Sequence, residues 1–218
     1  GMGYPSVFNA DMVIQEQMRV GKTLEDAREG GTSGCIETGA AGKEAYLLHG
    51  YLNIPKLLEY VLTNGFDMLT GKQVSIQTGD ISEFRTFEDL YAAFDKQLNY
   101  TVETKIKVDN YLRYQYATKM AATFLSVVIR DCIQKGKDYY NGGPRYNSDY
   151  IQCTGIGTVT DSLSAIKKHV FDDKKYTLKQ LVAAMEKNWE GEEEMRLTLR
   201  NKTPFFGNDD DYADDIMK

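Results

Sequence analysis

The run from Gly30 to Gly42 constrains this chain more than any other stretch. Glycines stand at 30, 31, 34, 39 and 42, interleaved with Thr32, Ser33, Cys35, Ile36, Glu37, Thr38, Ala40 and Ala41. Each glycine in a helix interior costs about 1 kcal/mol relative to alanine, so this is not helix composition. A flexible Gly/Ser linker would not carry Cys-Ile-Glu at its centre. Glycines this close together imply a backbone of special dihedrals that other structure approaches closely. The segment is expected to be a loop between helical patterns.

Those patterns lie on both sides. Asn9 caps a helix from about Ala10 to Val20, and Thr23 with Asp26 forms a capping-box-like start for a short one. Pro55 suits the first turn of a helix from Ile54 to Asn64, with Leu57, Leu58, Val61 and Leu62 as its apolar stripe. Thr86 and Asp89 open a helix that continues to about Tyr116. Further helices are expected over Asp131 to Tyr140, Asp161 to Phe171, Thr177 to Trp189 and Glu192 to Asn201. Asn208 to Lys218 reads as an acidic tail or a helix start. Phe124 to Ile129, apolar and rich in β-branched residues, is expected to be a short buried strand, and Tyr150 to Val159 a second. The fold class is therefore α/β, predominantly helical, in a single domain over 1–218.

Composition narrows the function. The 218 residues are 42% hydrophobic, which supports a sizeable core. A net charge of −6 argues against nucleic acid or an anionic membrane as partner. Apolar runs such as Phe124 to Ile129 fall far short of the roughly 20 residues of a membrane span. Three cysteines and two histidines, scattered and without a CxxC pair, give no basis for a disulfide framework or a metal site. No secretory leader is read, so reduced thiols and a cytoplasmic location are expected. The acidic run Asp209 to Asp211 lacks calcium-loop spacing. Cys132 and Cys153 read as buried thiols. Tyr111, Tyr114 and Tyr116 read as core or interface rather than a base-stacking platform. Lys43-Glu44 reads as an ordinary surface pair, with a supporting role for the nearby loop left open.

Cys35-Ile36-Glu37 is the constellation with chemical content. In extended backbone, residues two apart point to the same side, so a thiol and a carboxylate would face one cavity. That pairing does not suit a cysteine hydrolase, because a carboxylate raises the thiol pKa. Hydrogen-atom transfer wants the opposite, a neutral S–H, and leaves the carboxylate to act on the substrate as acid or base. A small buried cysteine beside a surface glutamate is the plain alternative.

The run Gly30 to Gly39 resembles the thiyl-cysteine loop of glycyl radical enzymes, the pyruvate formate-lyase-like family. Gly42-Lys43-Glu44-Ala45-Tyr46, Gly50-Tyr51-Leu52-Asn53 and Asn141 to Asn147 resemble that family too. So do Gly3 to Asn9 at one end and Gly207 to Ala213 at the other. Cys-x-Glu is similar to the dehydratase branch, and the Gly-Lys-Glu-Ala-Tyr context to its hydroxyproline members. The resemblance implies that Cys35 becomes a thiyl radical, that Glu37 moves the proton for a leaving hydroxyl, and that Tyr51 lines the substrate pocket. Ala41 and His49 depart from the pattern, where a bulky aromatic and a small hydroxyl residue are expected.

The resemblance also implies that the chain is part of the C-terminal half of a ten-stranded barrel. Its partners would be a small hydroxylated substrate, the remaining parts of the enzyme or a second copy, and a radical-SAM activating enzyme. No bound cofactor is expected. The family stores its radical on a glycine in an Arg-Val-x-Gly-Tyr/Phe segment, which does not occur in these residues, so the chain is expected to be a fragment inactive alone. A truncated, non-catalytic relative serving as a helical assembly module is the alternative.

Overall fold

The structure, a computed structural model, describes residues 7–33 and 36–218. In chain order it forms α1 (Ala10–Arg19), α2 (Leu24–Arg28), β1 (Gly31–Ser33), β2 (Glu37–Gly39), β3 (Glu44–Asn53), α3 (Ile54–Leu62), β4 (Phe66–Asp67) and β5 (Lys72–Gln73). There follow α4 (Phe87–Lys119), α5 (Thr123–Val128), α6 (Arg130–Lys135), β6 (Tyr146–Thr154) and α7 (Ile156–Ile166). A π-helical turn (Lys167–Asp172) continues α7, before α8 (Leu178–Glu186), α9 (Glu193–Asn201) and α10 (Asp211–Met217). About 53% of the chain is helical, as expected. It divides into two compact units: residues 1–50 with 106–152, and 51–105 with 153–218.

In the first unit, Asn9 caps α1 by accepting from the amides of Asp11 and Met12. The glycine-rich stretch is not a plain loop. Strands β1 and β2 pair antiparallel, with Gly31 opposite Gly39, Thr32 opposite Thr38 and Ser33 opposite Glu37. Strand β3, which the hydrophobic pattern did not mark, hydrogen-bonds to β6. Its alternation is obscured because it is buried on both sides at its start. Ala45 and Leu47 enter an apolar cluster with Ile129, Cys132 and Tyr139, while Glu44 on the other side is also buried.

Three expectations for this part of the chain need correction. Phe124 to Ile129 is not a buried strand: Thr123–Val128 is a helix, and Phe124 is 82% exposed. A six-residue run with five apolar residues cannot by itself separate strand from helix. Here Ser126 decides, its hydroxyl accepting from Tyr139 N and reaching Asp138 Oδ2, both at 2.8 Å, with its own amide bonded to Ala122 O. The helix expected over Asp131 to Tyr140 ends at Lys135, because Gly136 turns left-handed at φ 59°. Cys132 is buried as expected, but Cys153 is exposed.

Asp26 ties this unit together. Thr23 caps α2 by accepting from Asp26 N at 3.1 Å, but the Asp26 carboxylate does not return the bond as a capping box would. It meets Lys43 Nζ at 2.6 Å, the Tyr146 hydroxyl at 2.7 Å and Arg145 Nη1 at 3.0 Å, with its side chain 2% exposed. Helix α2, the turn before β3 and the start of β6 thus meet on one anion.

In the second unit, α3 and α10 pack on α7. Leu57, Leu58, Val61 and Leu62 of α3 are buried, as their spacing predicts, as are Val159, Leu163 and Ile166 of α7. Thr177 and Gln180 form a reciprocal capping box on α8. Asp89 accepts from the amides of Arg85 and Thr86, each at 2.9 Å, at the start of α4. The strand expected over Tyr150 to Val159 instead stops at Thr154. Gly155, at φ 78°, turns the chain into α7, and a Cβ there would lie 2.6 Å from the Pro55 ring.

Two outcomes follow from this packing. Gly155→Ala places a side chain in left-handed backbone, at about 1–2 kcal/mol, and against Pro55 in addition. Urea denaturation should show a loss above about 2 kcal/mol, and an unchanged midpoint would contradict the turn as described. The hydrogen bonds from Lys43 and Tyr146, with Arg145 adding to them, hold the Asp26 carboxyl well below the ordinary carboxylate range. The unfolded chain therefore takes up this proton first as pH falls. The stability Asp26 contributes is complete above its ordinary value near 4 and is lost below it. Asp26→Asn should accordingly destabilise strongly at about pH 5 and much less at about pH 2. Equal losses at both values in denaturation curves would contradict this.

Candidate active site

The β1–β2 hairpin carries the Cys-x-Glu segment. Three residues, 34–36, join Ser33 to Glu37. Cys35 lies outside the described residues, so its placement relative to Glu37 is not part of the geometry. Glu37 opens β2 and is half-buried. Its Oε2 accepts from the amide of Ile36 at 3.1 Å, which folds the carboxylate back toward the residue that follows Cys35. Ile36 itself is 55% exposed.

Among the described residues the hairpin is a two-stranded sheet, with no third strand on the outer edge of β2. Side chains from β3 and β6 take that place. Glu44 Oε2 accepts from Ala40 N at 2.7 Å. The Tyr150 hydroxyl lies 2.9 Å from Thr38 O and 3.2 Å from Glu44 Oε1, its one proton shared between two acceptors. Ser148 Oγ donates to Glu44 Oε1, and Lys22 Nζ approaches Oε2 at 2.5 Å. All the lone-pair directions of the Glu44 carboxylate are occupied. Side-chain exposure is 3% for Lys22 and 0% for Glu44. Removing one partner of such a pair leaves a buried charge uncompensated, at about 3–5 kcal/mol.

Strand periodicity explains how these residues meet. Glu44 and Tyr46 share one side of β3, and Tyr146, Ser148 and Tyr150 share one side of β6. The Tyr46 and Tyr150 rings stack at 6.0 Å, nearly parallel. Gly39 packs so closely on this surface that a Cβ would overlap the Tyr46 hydroxyl and the Glu44 carboxylate. Burial pushes the Tyr46 phenol up to about 12, with the Glu44 charge adding to it. Tyr150 is raised further by burial and by Glu44. Both remain protonated donors at neutral pH.

His49 lies on the opposite side of β3 from Glu44. Its Nε2 is 2.9 Å from Asp149 Oδ1, and Asp149 Oδ2 is 2.5 Å from Arg113 Nη1. Tyr51, two residues further along β3, belongs to the second unit and is 64% exposed. Among the described residues, no group of three His, Cys, Asp or Glu side chains is placed to hold a metal ion, and no helix is long and apolar enough to cross a membrane.

Lys43-Glu44 is not a surface pair. The two side chains point to different clusters, Lys43 to Asp26 and Glu44 to Lys22. Sequence reasoning passed over Lys22 and Ser148, and read Asp26 only as part of a helix start and Tyr150 only as a strand residue. The usable signal was a glutamate in phase with Tyr46, immediately before the apolar positions of a strand.

A family model described as pyruvate formate lyase-like matches residues 1–218. The chain is 52% identical over its whole length to trans-4-hydroxy-L-proline dehydratase of Clostridioides difficile, spanning 28% of that protein. It is 37% identical over its whole length to (2S)-3-sulfopropanediol dehydratase of Klebsiella oxytoca, spanning 27% of it. Among solved structures, the C. difficile hydroxyproline dehydratase with trans-4-hydroxy-L-proline bound superposes with a TM-score of 0.92 over 98% of this chain and 27% of the other. The glycerol-bound B12-independent glycerol dehydratase of Clostridium butyricum gives 0.89 at 33% identity, over 100% of this chain and 27% of the other. The chain thus spans little more than a quarter of the curated relatives it matches. From its first residue to its last, the chain belongs to the pyruvate formate lyase-like family of glycyl radical enzymes.

Proposed function

We propose that this sequence is the thiyl-cysteine portion of a glycyl radical dehydratase that removes water from a small hydroxylated substrate. The observation that carries the reading is the Glu37 carboxylate, half-buried on a braced hairpin and folded back onto the amide that follows Cys35. The 52% identity to a hydroxyproline dehydratase makes trans-4-hydroxy-L-proline the first substrate to test.

In this reading Cys35 takes a hydrogen atom from a substrate carbon and returns one to the product. The radical that makes this possible is held on a glycine elsewhere in the complete enzyme, installed by a radical-SAM activating enzyme. Glu37, in its carboxylic acid form, gives a proton to the leaving hydroxyl, which departs as water, and the carboxylate left behind takes back the proton that the substrate radical then loses. A thiol near a carboxylate is suited to this, because the carboxylate disfavours the thiolate and keeps a transferable S–H. Tyr51 lines the substrate pocket once the remaining barrel strands cover it, which agrees with its exposure here. The chain contributes part of that barrel.

In a complete enzyme containing this sequence, Cys35→Ser should abolish turnover, because an O–H bond is too strong to replace the S–H. Glu37→Gln should leave the paramagnetic glycyl radical signal at wild-type intensity and lower product formation by about 10²–10⁴-fold. Paramagnetic resonance combined with product detection tests both. Full activity of Glu37→Gln would remove Glu37 from the chemistry.

A further inference from the structure

We propose that Glu44 is the positioning residue for Glu37, acting through Ala40 and Tyr150. The inference rests on the dehydratase reading above and deepens it. Glu44 holds the strand that begins with Glu37 at two successive points along its outer edge. One is direct, Ala40 N to Oε2 at 2.7 Å. The other runs through Tyr150, whose hydroxyl lies between Glu44 Oε1 and Thr38 O. Thr38 and Ala40 are the first and third residues after Glu37, so holding both fixes the twist and depth of β2.

The charge is needed for the hold. A carboxylate accepts four hydrogen bonds where an amide oxygen accepts two, and four donors converge here. Lys22 compensates the charge from α1's C-terminal side, and no water is needed to complete the set. Tyr150 stays a donor because its ring is stacked on Tyr46 and buried beside a carboxylate. The arrangement costs desolvation of an ion pair, which packing alone would not require. Its product is a β2 strand held at Thr38 O and Ala40 N along the edge away from β1.

The consequence is specific to one step. Hydrogen-atom transfer takes place between the substrate and the Cys35 thiol, whereas loss of the hydroxyl depends on where Glu37 sits. Loosening β2 should therefore uncouple the two. Substrate would be activated, fail to lose water, and be returned unchanged with a hydrogen from the thiol, which exchanges with solvent.

The test uses the complete enzyme containing this sequence, with its radical installed, and ring-deuterated trans-4-hydroxy-L-proline in ordinary water. Tyr150→Phe keeps the ring stack and alters no charge, so it tests the link without threatening the fold. Glu44→Gln tests the hub. The glycyl radical signal should be unchanged in Tyr150→Phe. The ratio of deuterium washout in recovered substrate to product formed should rise about tenfold or more in both variants, with KM changed less than kcat. A purely structural role would lower radical, washout and product together, and that result overturns the proposal. So does a wild-type partition ratio in Tyr150→Phe. A wild-type enzyme that carries the radical yet neither dehydrates nor washes out label would instead overturn the dehydratase reading itself, and the positioning role with it.

Discussion

The structure around the Cys-x-Glu segment depends on one buried carboxylate. Glu44 accepts from a lysine, a backbone amide, a serine and a tyrosine with no exposed side-chain surface. A two-stranded hairpin of three residues per strand has little stability of its own. Without Glu44 and Tyr150 its outer edge would leave backbone groups unpaired beside a protein surface, and such groups are costly when buried. The side chains of β3 and β6 do for β2 what a third strand would do elsewhere.

A second anion complements the first. Asp26 draws Lys43, Arg145 and Tyr146 to the base of the hairpin, while Glu44 braces its edge. The adjacent residues Lys43 and Glu44 serve one cluster each. The glycines serve the same end. Gly39 lets β2 lie against Tyr46 and Glu44, and Gly30 lies against the carbonyl of Gly39 and the buried Gln17. The motifs Gly42 to Tyr46 and Asn141 to Asn147 thus supply residues that hold the β1–β2 hairpin and α2. This gives them a physical role separate from contact with a substrate.

Much of the helical framework was legible in the sequence, because caps and apolar stripes are local signals. Asn9, and Thr86 with Asp89, sit where their side chains satisfy helix amides. The strands were less legible. β3 is buried on both sides at its start, and β6 passes through Gly155 directly into a helix, so neither shows clean alternation. The apolar run at 124–129 misled because its length suits strand and helix alike. Of the site, Cys35 and Glu37 stood out by their chemistry and their glycine context. The brace behind them did not, because a buried ion pair between residues 22 and 44 has no sequence spacing of its own. Only the fold brings Lys22, Ser148 and Tyr150 to one carboxylate.

The claim that Glu44 replaces a missing strand can be read from a single amide. Hydrogen exchange of Ala40 N–H, followed in the complete wild-type protein, reports whether that bond persists in solution. Protection comparable to that of the β6 amides is the expected result. Exchange of Ala40 as fast as in an exposed loop would contradict it.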